Sequence, residues 1–160
     1  MTKDEIHQRF VDQLALELET ITTAAQASFD TATDEEHHAE GKYDTFSLEA
    51  SYLARGQAKR VEELRTAVER MQQLPLRAFT DGDPIVLGAL VRMRAENGET
   101  RTVFLGPSAG GEELEIEGES IVIVTSRSPL GSSILGKTLG ESFGIKLGPI
   151  AQTFTITSVE

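Results

Sequence analysis

Apolar residues in the first half of the chain return every three or four positions in two long stretches. The first stretch carries Val11, Leu14, Leu18, Ile21, Ala25 and Ser28, and the second carries Ala50, Ala54, Gln57, Val61, Leu64, Val68 and Met71. Alternating steps of three and four mark the a and d positions of a heptad, so each stretch predicts a helix with a seam along one face. Only about residues 34–45 interrupt the pattern. We therefore predict an antiparallel coiled-coil hairpin with helices of about 30 residues, roughly 45 Å long.

The seam changes character along this predicted hairpin. Large side chains such as Leu14 and Leu64 lie near its open end, whereas Ala25, Ser28 and Ala54 lie near the turn. Because small residues let helices approach closely, we expect the end at the turn to be thin. Local packing economy would explain the same grading without any function.

After Pro75 the pattern changes to β-branched runs bounded by Gly, Pro and Asn-Gly. Runs at 84–93, 100–106, 120–125, 142–148 and 151–159 predict strands. Asn97-Gly98 predicts a tight hairpin between the first two strands, and Gly148-Pro149 joins the last two. We therefore predict an α+β chain with a helical domain over 1–76 and a small twisted β domain over 77–160.

The stretch GSSILGKT, residues 131–138, fits the phosphate-binding pattern G-x-x-x-x-G-K-[ST] at every position. That pattern needs a long helix starting at the Lys-Thr end, but Gly140, Gly144 and Gly148 interrupt the following residues. A downstream Mg²⁺-holding Asp is also missing, because Asp83 is the last Asp in the chain. We expect no nucleotide binding.

The same stretch is better explained as a short capped helix. Ser128 can cap its N-terminus, Pro129 suits the first helical position and Gly136 can end it. Its predicted apolar face consists of Leu130, Ile134 and Leu135. Lys137 would then lie at the C-terminus, where the helix dipole favours a cation.

Composition excludes several classes of function. The formal net charge of −11 argues against direct binding to nucleic-acid phosphates. The absence of cysteine excludes disulfides, thiolate zinc sites and cysteine nucleophiles. Neither a signal peptide nor an apolar run of membrane-spanning length is present, so we expect a soluble, cytoplasmic protein with no membrane partner.

Acidic residues concentrate at the predicted turn, over about residues 34–49. Between Asp30 and Glu49 there are seven acids against one base, Lys42. Such a cluster is ordinarily a solvated loop. At the end of a narrow rod it could also deliver carboxylates to a hard cation in a confined site. His37 and His38 adjoin these acids, and without a third ligand at suitable spacing they favour a solvated pair over a metal site.

The run VTSRSPLGSSILGKTLGES, residues 124–142, resembles the matching stretch of the bacterial Gre factors. A helical hairpin followed by a β domain is also the Gre arrangement, so the resemblance covers nearly the whole chain. It implies an FKBP-like C-terminal domain that docks at the rim of the secondary channel of RNA polymerase. The residues it places in that contact are Ser128, Pro129, Leu130 and Lys137.

The resemblance also implies a mechanism. In Gre factors the coiled coil reaches the polymerase active site, where tip acids help to hold a second Mg²⁺ and the polymerase itself cleaves backtracked RNA. This chain would then be an accessory factor rather than an enzyme. It would act as a monomer, share Mg²⁺ with the polymerase, bind no cofactor alone and meet the nascent RNA 3′ end only indirectly.

The tip departs from the Gre pattern in one respect. If Tyr52 of YDTFSLEASY (43–52) matches the Gre tyrosine, the two metal-binding positions fall on Thr45 and Leu48, one residue away from Asp44 and Glu49. Positions five apart on one helix diverge by about 140°, so this pair converges only if the helix starts after Asp44. Thr45 or Ser47 could cap such a helix.

Asp44 and Glu49 are therefore the candidate metal-binding and catalytic residues, and Tyr43 and Tyr52 are candidate polymerase contacts. Three functions follow, in order of preference. The first is a transcript-cleavage factor, and the second is a regulator that occupies the channel without stimulating cleavage. The third is a prolyl isomerase or chaperone, ranked last because the β domain has four Phe and no Trp or Tyr to line a substrate pocket.

Overall fold

The computed structural model describes the backbone of residues 1–33 and 41–160, and the side chains of 1–31, 53–146 and 148–160. Its helices are α1 (Lys3–Thr33), α2 (Gly41–Gln72) and α3 (Pro129–Ile134). Its strands are β1 (Leu90–Ala95), β2 (Thr100–Gly106), β3 (Glu113–Ile116), β4 (Glu119–Thr125), β5 (Ser142–Leu147) and β6 (Ile150–Val159). The predicted α+β class is confirmed. In the part of the chain that the structure describes, no helix combines the length and apolar character needed to cross a membrane.

Helix α1 begins at a reciprocal cap. The Thr2 hydroxyl accepts a hydrogen bond from the Glu5 amide at 3.3 Å, and the Glu5 carboxylate accepts one from the Thr2 amide at 2.8 Å. This is a capping box, which satisfies amides that a helix N-terminus leaves unpaired. The bond from the Thr2 amide is also the main reason that the pKa of Glu5 is lowered.

The chain forms two compact units. One unit contains Met1–Phe10 together with Arg70–Glu160, and the other contains Val11–Glu69. In the second unit α1 and α2 run antiparallel, and Arg60 donates to Glu17 at 3.0 Å. Among its described side chains, those buried are Val11, Leu14, Val61, Leu64 and Val68.

The first unit is built on a six-stranded mixed sheet in the order β3-β4-β2-β1-β6-β5. Neighbouring strands are antiparallel except β2 and β4, which run parallel with Phe104 opposite Ile123. The tight hairpin at Asn97-Gly98 is confirmed by the pairing of β1 with β2, and Gly98 adopts a φ of +87°. The hairpin across Gly148-Pro149 is confirmed by the pairing of β5 with β6.

Both faces of this sheet are covered within the first unit. On one face, α3 buries Leu130 and Ile134 in a core shared with Val103, Phe143 and Phe154. On the other face, Phe104 meets the rings of His7 and Phe10, at centroid distances of 5.8 and 6.1 Å. His7 Nε2 lies 2.8 Å from the carbonyl oxygen of Met71.

Two strand predictions need correction. The run 84–93 was expected to be one strand, but β1 begins only at Leu90. Gly88, with a φ of +90°, turns the chain so that its amide donates to the carbonyl of Leu105. Strand β3 is absent from the predicted set because it has four residues, and its turn to β4 uses Glu117 and Gly118, both at positive φ, rather than Asn-Gly.

Candidate functional site

Ser128 fixes the start of α3 with its hydroxyl group. The Ser128 Oγ accepts from the Gly131 amide at 3.1 Å and donates to the carbonyl of Thr125, at the end of β4, at 2.8 Å. Pro129 occupies the first turn, where it loses no hydrogen bond because that amide has no helical partner. The predicted cap is confirmed, and it ties the helix directly to the sheet.

Backbone hydrogen bonds also fix the segment that follows α3. Gly136 adopts a φ of +81°, which favours glycine, and ends the helix as predicted. Its amide donates to the carbonyl of Ile85 at 2.8 Å, and the Ile85 amide donates to the carbonyl of Lys137 at 2.8 Å. Gly136 and Lys137 are therefore joined to Ile85 by two backbone hydrogen bonds.

A carboxylate organises the turn that follows. Glu141 Oε2 accepts from the Thr138 amide at 2.6 Å and from the Thr138 hydroxyl at 3.0 Å. The amide bond is the main cause that lowers the pKa of Glu141. Lys137 Nζ lies 3.9 Å from Glu141 Oε1, a long ion pair between partly exposed groups that contributes little stability.

The surface of this region differs from the predicted contact set. Pro129 is exposed and Lys137 is half-buried, so both are accessible to a partner. Leu130 is only 8% exposed and packs in the core, so it offers little surface to a partner, and its predicted contact with polymerase stays a prediction. The Ser128 hydroxyl is already engaged in capping.

Two leucines that were not expected in the contact set are exposed instead. Leu135 is 43% exposed and Leu139 is 40% exposed. Leu135 was expected on the buried face of the short helix, but it is the C-cap, where the helical periodicity no longer applies. We call Pro129, Leu135, Lys137 and Leu139 the α3 surface. It combines two apolar side chains with one cation on a rigid support.

A groove of about 250 Å³ lies beside Leu130, between α3 and the sheet. Its other lining residues are Thr100, Arg101, Thr102, Val103, Ser120, Val122 and Val124. None of them is aromatic, and Phe104, Phe143 and Phe154 are buried elsewhere in the sheet unit. The groove therefore lacks the aromatic lining expected of a prolyl-isomerase pocket.

The phosphate-binding interpretation of GSSILGKT does not fit the structure. Helix α3 ends at Ile134, before Lys137, and the chain continues into a turn and then β5 at Ser142. Lys137 therefore lies beyond the C-terminus of a helix, not at the N-terminus that would hold a phosphate. The expectation that no long helix starts at Lys137 is confirmed.

The tip candidates lie largely outside the described residues. His37 and His38 fall in 34–40, and the side chains of Tyr43, Asp44, Glu49 and Tyr52 are not among those described. The described backbone does not meet the condition for convergence, because α2 begins at Gly41 and not after Asp44. Positions 44 and 49 are then about 140° apart around one helix, and the metal site stays a prediction. Among the described side chains, no group of three metal-ligating residues occurs.

Among solved structures, those of Gre-type factors are similar to this chain. No protein-family model matches the chain, and no curated protein matches it. A structure of the transcription factor Gfh1 is 20% identical, covers 93% of this chain and 92% of its own, and has a TM-score of 0.41. GreA factor homolog 1 (Gfh1) of Thermus thermophilus is 19% identical over 98% of this chain and 93% of its own, with a TM-score of 0.39.

The prokaryotic transcription elongation factor GreA/GreB from Nitrosomonas europaea is 18% identical over 72% of this chain and 91% of its own, with a TM-score of 0.33.

Proposed function

We propose that this chain is a Gre-type factor that binds bacterial RNA polymerase, docking through the α3 surface and placing its helical pair in the secondary channel. The observation that carries the proposal is the Ser128-capped helix α3, in the stretch that resembles the Gre docking segment. The two long antiparallel helices, of 31 and 32 residues, supply the second part of the Gre arrangement.

The α3 surface has the physical properties of a docking site. Its backbone is pinned by the Ser128 cap and by the paired bonds to Ile85, so little conformational freedom is lost on binding. Leu135 and Leu139 offer apolar area that a partner can bury, which is the main source of binding energy at such a surface. Lys137 adds a charge that can select an acidic partner segment.

A binding measurement with purified polymerase tests this docking. We expect Leu135→Ala with Leu139→Ala to weaken binding at least tenfold, because each truncation removes about 1 kcal/mol or more of apolar burial. Ile150→Ala is the matched control, since Ile150 is a 61% exposed aliphatic residue of the same sheet unit, at the start of β6. Equal, small losses for both variants would contradict docking through α3.

The mode of action we favour is channel occupancy without stimulated cleavage. The helical backbone through positions 44 and 49 favours this mode, because it separates the two acids around the helix. The factor would then inhibit elongation and compete with a cleaving Gre factor for the channel. Transcript cleavage is the second candidate, supported by the seven acids between Asp30 and Glu49.

An RNA cleavage assay on backtracked polymerase complexes separates the two modes. Under occupancy, the wild-type protein leaves the RNA uncut over a range of Mg²⁺ concentrations and slows elongation. Under cleavage, the wild-type protein shortens the RNA, using a Mg²⁺ shared with the polymerase, and Asp44→Ala or Glu49→Ala lowers the rate about tenfold to a hundredfold without weakening docking. A protein that does not bind polymerase at all would contradict both modes of action.

A further inference from the structure

Helix α2 contains two adjacent residues that weaken it, Gly56 and Gln57. Gly56 lies in the helix interior, and a Cβ placed on it would meet no described atom within 4 Å. No described neighbour therefore requires glycine there. An interior glycine costs a helix about 1 kcal/mol relative to alanine because its backbone loses more freedom on folding.

Gln57 occupies a seam position between Ala54 and Val61, where an apolar residue would stabilise the helix pair. Its Oε1 atom is buried and has no hydrogen-bond partner among the residues that the structure describes. An unpaired buried acceptor loses its bonds to water and gains none in return.

The described helical segments next to this pair are also loosely packed. Among the described side chains, none in 15–31 of α1 or 53–60 of α2 is buried, whereas Val61 and Leu64 are. A groove of about 530 Å³ lies between these segments and extends along α2 as far as Arg65. It is lined by Thr22, Ala25, Gln26, Phe29, Ala54, Arg55, Ala58, Val61, Glu62 and Arg65.

We infer that Gly56 and Gln57 form a built-in weak point at which residues 18–31 of α1 and 53–60 of α2 open together, while the pair from Val61 to Val68 stays closed. We call these two segments the distal pair. Local opening of a cooperative segment below the free energy of global unfolding is a common property of proteins. A helix pair that opens in this way can adapt to the walls of a confined site.

Hydrogen exchange of the free protein, measured by mass spectrometry, tests the weak point. Amides of the distal pair should exchange at least tenfold faster than those of residues 61–70. Gln57→Leu should slow exchange throughout the distal pair by about tenfold, because it removes the unpaired acceptor and fills the seam. Gly56→Ala should slow the same amides about fivefold through helix propensity alone.

Lys59→Leu is the matched control. Lys59 lies in the same turn with its side chain 80% exposed, so the new leucine reaches no seam and should change exchange less than twofold. The informative amides are those of residues 24–31, on the unmutated helix. Simple fraying from the helix ends would open them without breaking contacts at Gln57, and Gln57→Leu would leave their exchange unchanged.

Unchanged exchange of residues 24–31 in Gln57→Leu would overturn the inference of a weak point. Uniform protection along both helices in the wild type would overturn it as well. Slowing of residues 24–31 by both Gln57→Leu and Gly56→Ala, but not by Lys59→Leu, would establish it. The measurement uses the free protein, so a failure to bind polymerase would leave its result unchanged.

Discussion

Replacing Gly131 with alanine should detach α3 from the sheet, because no room exists for a methyl group at this position. A Cβ on Gly131 would lie 2.0 Å from the carbonyl oxygen of Thr125, 2.7 Å from its carbonyl carbon and 3.0 Å from Ser128 Oγ. The first two are backbone atoms of a strand end, so they cannot rotate away. Helix α3 must move by more than an ångström to relieve the contact.

That movement breaks interactions whose sizes are known in general. It disrupts both hydrogen bonds of the Ser128 hydroxyl, and loss of a cap costs about 1 kcal/mol. It also strains a packed core that holds Leu130 and Ile134, and overpacking typically costs about 1–3 kcal/mol. The helix propensity of alanine returns up to about 1 kcal/mol. We therefore expect Gly131→Ala to lower the free energy of unfolding of the sheet unit by about 1–3 kcal/mol.

Urea denaturation followed through the amide resonances of β1, β2 and β6 measures this loss in the sheet unit itself. Gly144→Ala on β5 is the control, since a Cβ there meets nothing within 4 Å and the change should stay within about 0.5 kcal/mol. If Gly131→Ala unfolds at the same urea concentration as Gly144→Ala, the close approach of Gly131 to Thr125 does not anchor α3.

Three further predictions concern the same region. Ser128→Ala should lower the free energy of unfolding of the sheet unit by about 1 kcal/mol in the same urea titration, through loss of the N-cap, and Ser132→Ala should not. Glu141→Gln should destabilise the sheet unit at neutral pH and lose this effect in acid. The folded pKa of Glu141 lies below its ordinary value of 4.5, so the stabilisation is present above pH 4.5 and disappears as the pH falls through the folded pKa. A pH series of thermal unfolding midpoints for both proteins checks this, and a difference that persists in strong acid would contradict it. Finally, ATP and GTP titrations should be flat for the wild type and for Lys137→Ala, and a saturable signal lost in the variant would restore nucleotide binding.

Several elements of this protein follow from local sequence alone. The return of apolar residues every three or four positions predicts both long helices, because residues at that spacing lie on one face of a helix. Alternation and β-branching predict β2 at the residues where it occurs, and Asn97-Gly98 predicts its hairpin with β1. Ser128, Pro129 and Gly136 together predict the bounds of α3. All of these features depend on the dihedral preferences and caps of residues close in the chain.

The candidate site was only partly predictable, because it depends on contacts between residues that are far apart in the chain. Leu130 and Leu135 look alike in the sequence, yet one is buried and the other is exposed, because α3 ends at Ile134 and the chain then turns toward Ile85. The role of Gly131 is also invisible locally, since its requirement comes from the carbonyl of Thr125 on another element. The sequence alone does not distinguish a glycine that binds phosphate from a glycine that is required because a strand end packs against it.

Tertiary structure likewise determined the order of the strands in the sheet and the burial of side chains in the helix pair. The parallel pairing of β2 with β4 joins segments that no turn connects directly, so it depends on which surfaces bury together. The spacing predicts Gln57 as one more seam position, and only the folded chain shows that its Oε1 atom is buried with no donor among the described residues. The sequence by itself determined where this chain forms helices, strands and caps. Contacts between distant segments determined which of those residues are buried, strained or exposed to a partner, because solvent is excluded by the assembled surfaces and not by any one of them.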